Sequence, residues 1–416
     1  MKIVLVSCCC PPEPIVAGRM IWDIADMFSK DGHNVVLITT HPSRPVGKYN
    51  MKTKPKEIIQ VNPNLQVVRL NSFIYPKYNL FYRSFESWDF GYKAIKYINN
   101  NIKEYNIIYA MPWPFLGQLA MVLFNKNKKI PMVMNVQDLY PESFFIKFKN
   151  SWIIKLKFIT SLLYRIDKYI AKKSSHITVV SNNFRDIYNY ERRINEDKIS
   201  IIENWQDESE FLLPIEERAI LINKYQLDTI IKRPVFMYLG NIGPVAGIQK
   251  VIEEFSMVEN NRFSLVIAGS GNAKAECIEL VKMLNVENVC FIEVPPGLKS
   301  VVEIQSIADV MVLPINPLAA SSSIPSKLIA YMFSSKPIIC SAELNSDTGK
   351  VIQDSNCGWL VNDENPWHKI FLKVADYSSE ELINFGKRGF EYAIARFSKS
   401  IGLEKIKCII NKVVEK

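Results

Sequence analysis

The stretch KIVLVSCCCPPEPIVAGRMIWDIADMFSKDGHNVVLITT, residues 2–40, decides the fold. It opens on a β-branched, apolar run, turns through prolines into a segment whose apolar residues recur at helical spacing, and ends in a second β-branched run. Strand, helix and strand in that order make a right-handed crossover, and repetition of the unit builds a parallel sheet covered on both faces. The repetition is present: QVVRL, NIIYAM, PMVMNV and HITVVS continue it. Over residues 201–234 the pattern loosens into acidic and polar residues, and PVFMYLG, FSLVIAG, NVCFIEV, ADVMVLP and KPIICS then restart it. The expected architecture is α/β, with two similar halves and a cleft between them. A chain of 416 residues is too long for one compact core, which agrees.

Composition narrows the function. The net charge of +9 is too diffuse for a nucleic-acid reader without a concentrated basic groove, but suits anionic substrates or an acidic membrane surface. None of the eight cysteines falls in a Cys-x-x-Cys pair or a zinc-like spacing, so they read as reduced thiols of a cytosolic protein. The start, MKIVLVSCCCPPEP, lacks a secretory cleavage pattern. The most apolar window, residues 107–124, is broken by Pro112, Pro114, Gly117 and Gln118, so no transmembrane helix is expected. The four histidines are scattered and no Asp-x-Asp occurs, which argues against a metal site.

In doubly wound sheets ligands bind beyond the carboxyl ends of strands. The loop after the first strand has Gly18 followed by Arg19 rather than G-x-G-x-x-G, which counts against an NAD enzyme; it is either a phosphate- or sugar-facing helix start or a plain turn. After PVFMYLG come Gly240, Asn241 and Gly243, and after SLVIAG come Gly269 and Gly271, where glycine either admits a ligand to the backbone or only makes a turn. SSSIPSKLIAYMF, residues 321–333, sets Ser322, Pro325, Ser326 and Lys327 at a helix start, which is either a capped helix or an anion site. NVQDLYPES places Asp138 and Glu142 in another strand-end loop, able to orient or deprotonate a hydroxyl acceptor or to cap and solvate a helix. Residues 144–173 carry eight Lys or Arg against one Asp, with Ile153, Leu156, Ile159, Leu163, Ile166 and Ile170 at helical spacing. They form either a membrane-surface helix or a core-facing helix with a solvated basic side. The aromatic-rich segment 73–92 packs a core or lines an acceptor mouth.

Taken in order, the opening through residue 49, VQDLYPES, VVSNNF, ENW, YLGNIG, VIAGSGNAK, ADVMVLP and IPSKLIAYMFSSKPII resemble a bacterial family 4 glycosyltransferase of the branch that builds O-antigen and capsule. The resemblance implies a GT-B fold of two Rossmann-like domains facing a central cleft. It divides the chain into an acceptor-binding domain over 1–205, a linker over 206–232, a nucleotide-sugar domain over 233–385 and terminal helices over 386–416 that cross back. It implies retaining transfer from a nucleotide-sugar, commonly UDP-linked, with an N-acetylated hexosamine as a candidate donor sugar, and without a metal or other cofactor. The acceptor would be a polyprenyl diphosphate-linked saccharide at the inner face of the cytoplasmic membrane. Gly240, Asn241 and Gly243 match the donor-phosphate loop, Gly269 and Gly271 the nucleotide-side loop, and Ser322, Ser326 and Lys327 the diphosphate end of the helix. Gly18 and Arg19 match the amino-domain loop facing the donor, Asp138 the acid after the fifth strand, and Glu142 becomes an acceptor-side candidate. Two departures stand out: Ser322 and Ala330 occupy places where relatives carry glutamates, and Pro244, Val245 and Ala246 replace a basic residue after the glycine loop. A GT-B nucleotide-sugar 2-epimerase and a non-catalytic nucleotide-sugar-binding protein are the alternatives.

Overall fold

The computed structural model describes residues 1–44, 49, 54–75, 79–111, 115–126, 129–142, 157–212, 214–227, 231–243, 246–258, 262–315 and 324–415. The chain forms two compact units, one of residues 1–204 with 402–416 and one of residues 205–401.

The first unit is built on an eight-stranded sheet in the order β3-β4-β2-β1-β5-β6-β7-β8. Its strands are β1 (Lys2–Ser7), β2 (Asn34–Thr40), β3 (Glu57–Asn62), β4 (Leu65–Leu70), β5 (Ile107–Met111), β6 (Met132–Val136), β7 (His176–Val179) and β8 (Ile199–Ile201). All pairings are parallel except β3 with β4, a bulged antiparallel edge. The central strands are buried on both faces, which is why they read as unbroken apolar runs rather than as alternation. Helix Leu80–Asn101 packs on helix Phe115–Phe124 so closely that a Cβ on Gly91 would lie 2.3 Å from the Gly117 carbonyl oxygen, and Ser87 Oγ accepts the Gly117 amide at 2.8 Å. From Gly402 the terminal helix, Lys399–Val414, belongs to this unit, where Lys405 pairs with Glu203 and Lys407 with Asp31.

The second unit carries a wholly parallel six-stranded sheet in the order β11-β10-β9-β12-β13-β14. The strands are β9 (Val235–Leu239), β10 (Ser264–Ala268), β11 (Val289–Ile292), β12 (Val310–Leu313), β13 (Ile338–Cys340) and β14 (Gly358–Leu360). Residues 206–232, read from sequence as the linker, place Phe211, Leu221 and Leu227 in this unit's core. The long helix Ser379–Phe397 also belongs here and starts on a capping box between Ser378 and Glu381.

Candidate active site

The second unit brings three of the sequence-nominated loops together around the end of β9. Gly240 follows β9 and donates to the Ala268 carbonyl at 2.9 Å, while Ile242 donates to Ser270 at 2.9 Å and accepts from Ala273 at 3.0 Å. The two glycine loops thereby lie one on the other. Gly269, at φ +136°, has the Gly240 carbonyl oxygen 2.0 Å from where a Cβ would stand; Gly271 meets the Ile242 oxygen at 2.2 Å in the same way. No side chain fits at either place, so these glycines are required by close approach and not merely by turning. Asn241 is exposed at the tip, and Gly243 stands beside its amide.

Helix Ser326–Phe333 supplies the third part. It begins one residue later than its sequence suggests: Pro325 is the extended residue before it, at ψ 135°, and gives no side-chain cap. Ser322 lies outside the described residues. Ser326 is exposed at the first helical position, and its carbonyl accepts from Gln206 Nε2 at 2.7 Å. Lys327 reaches back over Gly240, with Cε and Nζ within 2.5 Å of where a Gly240 Cβ would be. Its ammonium donates to Tyr238 Oη at 2.6 Å. Burial pulls its pKa below the ordinary lysine value, and among the described residues no carboxylate lies within ion-pair distance. A desolvated cation beside glycine-lined backbone is able to take up an anion.

Two tyrosines that the sequence reading passed over hold this arrangement. Tyr238 Oη donates to the Asn241 carbonyl at 2.7 Å, and Tyr331, one turn beyond Lys327, bonds the main chain of Leu239. Both rings are buried, and burial pushes the Tyr238 phenol up to about 12 and Tyr331 higher still. The available signal was position, since Tyr238 stands two residues before the loop glycine and Tyr331 lies at i+4 from Lys327.

In the first unit Gly18 is buried against the loop after β1, where a Cβ would sit 3.3 Å from the Cys10 nitrogen, and Arg19 is exposed beside it. Buried Glu13, not nominated from sequence, fixes that loop by accepting from the amides of Ser43 at 2.8 Å and Arg44 at 2.9 Å. Asp138 is exposed in a bend after β6, on the same strand-end edge, two strands from β1. Glu142 is engaged differently: it pairs with Arg192, a guanidinium only 3% exposed that also holds Asp167 at 2.9 Å and lies 4.6 Å from the Tyr164 ring centroid. Burial raises the Asp167 carboxyl to about 6, opposed by Arg192 and the Tyr188 hydroxyl. Glu142 therefore serves a buried charge network. Of helix Lys157–Lys173, Leu163, Ile166 and Ile170 face the core as its apolar spacing predicts, leaving Phe158, Leu162, Arg165, Tyr169 and Lys172 exposed. Ile153 and Leu156 lie outside the described residues. Among the described residues no helix is long and apolar enough to cross a membrane, and no three metal-binding side chains converge.

Residues 17–210 match the family described as Glycosyltransferase Family 4, and residues 223–388 match Glycosyl transferases group 1. The chain is a glycosyltransferase. This transferase is 22% identical over 290 residues to the probable glycosyltransferase WbjE of Pseudomonas aeruginosa, covering 68% of each chain. Its fold is GT-B. Sucrose-phosphate synthase of Thermosynechococcus elongatus superimposes with a TM-score of 0.73 at 16% identity, covering 99% of both chains. Anabaena HepE in complex with UDP superimposes with a TM-score of 0.68 at 12% identity, covering 99% of the transferase and 100% of HepE. At such identities the structural likeness speaks for the fold alone.

Proposed function

We propose that this transferase moves a sugar, with retention of configuration, from a UDP-linked donor to a polyprenyl-linked saccharide of O-antigen or capsule biosynthesis. The observation that carries the donor reading is Lys327: a half-buried ammonium, without a described carboxylate partner, lying across Gly240 beside the Gly269 and Gly271 loop. Cleavage of a nucleotide-sugar develops negative charge on the departing diphosphate, and preorganised amides with a cation lower that barrier without a metal. With Pro244, Val245 and Ala246 in place of a basic residue after the glycine loop, Lys327, Arg19 and the helix amides would bear most of the leaving-group charge. UDP in HepE supports the choice of nucleotide.

Asp138, exposed at the carboxyl end of β6, would orient the acceptor hydroxyl, and Gly18 and Arg19 would complete the donor side. For the acceptor, the support is the resemblance to surface-polysaccharide enzymes together with the exposed face of helix Lys157–Lys173, where Phe158, Leu162 and Tyr169 alternate with Arg165 and Lys172. Such a face suits an anionic lipid surface.

A panel of nucleotide-sugars, UDP-N-acetylhexosamines first, incubated with native membranes and followed by identification of the lipid product, tests this. Transfer to an extracted lipid is the expected result. Conversion of the donor to an epimer without acceptor, or transfer only to a water-soluble sugar, would overturn it.

A further inference from the structure

We propose that Tyr238 is a positioning residue for the donor diphosphate, acting through Lys327; this rests on the phosphate-binding reading of Lys327. The phenol has one proton, and the Asn241 carbonyl takes it at 2.7 Å. Its remaining lone pairs face Lys327 Nζ at 2.6 Å, so the ammonium must be the donor there. The polarity of the chain is thus fixed: Lys327 to Tyr238 to the main chain of the first glycine loop. The Asn241–Ile242 peptide is held at its other end too, because the Ile242 amide bonds the Ser270 carbonyl at 2.9 Å. One side chain therefore sets both the cation and the loop beneath it.

The chemistry of this partner matters. A carboxylate in place of the phenol would hold the lysine but cancel its charge, whereas a neutral hydroxyl holds it and leaves the charge for a ligand. The titratable groups around this chain of hydrogen bonds, Tyr238, Tyr331 and Cys277, are all pushed upward by burial and are neutral at pH 7. Burial lowers Lys327, and accepting its hydrogen bond is the compensation that Tyr238 supplies.

The test is UDP binding to the full chain, measured calorimetrically from pH 7 to 10 for the parent, Tyr238→Phe, Lys327→Met and the double variant. Tyr238→Phe keeps the buried ring and is expected to weaken binding about tenfold. It should also move the alkaline loss of binding to lower pH, because the ammonium has lost an acceptor that favours its charged form. In the Lys327→Met background the same change should cost clearly less, only what the freed Asn241 carbonyl contributes, whereas a merely structural role would give the same loss in both backgrounds. Parental binding by Tyr238→Phe, or an equal loss in both backgrounds, overturns the proposal while a weakened Lys327→Met leaves the phosphate reading standing. Parental binding by Lys327→Met overturns both. Should Tyr238→Phe melt out, 3-fluorotyrosine at 238 reads the same alkaline midpoint with the hydroxyl retained; an unmoved midpoint there counts against the proposal.

Discussion

Tyr331 Oη bonds both main-chain groups of Leu239, donating to its carbonyl at 2.8 Å and accepting from its amide at 3.1 Å. The ladder between β9 and β12 ends at Met237 with Met311, so beyond it the β12-facing edge of β9 has no strand partner among the described residues. A side chain from helix Ser326–Phe333 takes the place of that strand and ties the helix bearing Lys327 to the loop bearing Gly240. Tyr331→Phe leaves a buried amide and a buried carbonyl unpaired, a loss of about 2–4 kcal/mol. A fall in Tm of roughly 5–15 °C is expected in a thermal melt; an unchanged Tm would show that the bridge is dispensable.

Lys327→Ala removes a cation from the leaving-group side but little from the core. Turnover should fall about 10²- to 10³-fold with the melting temperature nearly unchanged. Near-parental turnover in a steady-state donor assay would exclude Lys327 from the site.

Two glycines with positive φ separate conformational strain from collision. At Gly32, φ +81°, nothing lies within 4 Å of an added Cβ, so Gly32→Ala should cost about 1–2 kcal/mol. At Gly269 the same strain is joined by a carbonyl oxygen at 2.0 Å. Gly269→Ala should therefore add about 1–3 kcal/mol of overpacking and abolish UDP binding. Denaturant titration of the two variants checks the order, and equal losses would contradict it.

The buried carboxyl of Asp167 predicts a pH effect of definite sign. Its folded pKa, about 6, lies above the unfolded value of about 4. The protonated form is thus favoured in the fold, and this group's contribution is fully present below about pH 4 and lost as pH rises through about 6. Asp167→Asn should flatten that part of the stability profile. A profile that keeps the parental slope between pH 4 and 6 would assign it to another group.

Phe158, 77% exposed, and Leu162, 45% exposed, should contribute to membrane binding and little to folding. Each is worth about 1.5–3 kcal/mol if fully buried in lipid. The double change Phe158→Ser with Leu162→Ser is expected to weaken co-sedimentation with phosphatidylglycerol vesicles at unchanged Tm. Equal sedimentation would remove this helix from the lipid-facing surface.

Most of the sheet framework was legible because central parallel strands such as β1, β5 and β9 are buried on both faces and announce themselves as apolar runs. The edges were not. β3 is almost wholly exposed and bulged near Gln60, so its Ile58, Ile59 and Val61 form neither a buried run nor an alternation, and β14 is three residues long beginning at a glycine, too short to stand out. The loops with Gly240, Gly269 and Lys327 could be nominated from their places after strands and at a helix start. What stayed hidden was pairing at long sequence separation: Tyr238 with Lys327, and Glu142 with Arg192, are joined only by the fold. An exposed-looking glutamate thus turned out to neutralise a buried guanidinium, while two apolar-run tyrosines supplied the hydroxyls that order the glycine loops.

The stacked loops of Gly240, Gly269 and Gly271 form a wall of main chain against main chain, with the Lys327 side chain laid over Gly240. Such a wall offers amides, carbonyls and an ammonium, which any anion of the right size satisfies alike. It can grip but cannot discriminate. Selection among related molecules must therefore reside in residues that the wall does not constrain, and those can change through mutation without disturbing the grip.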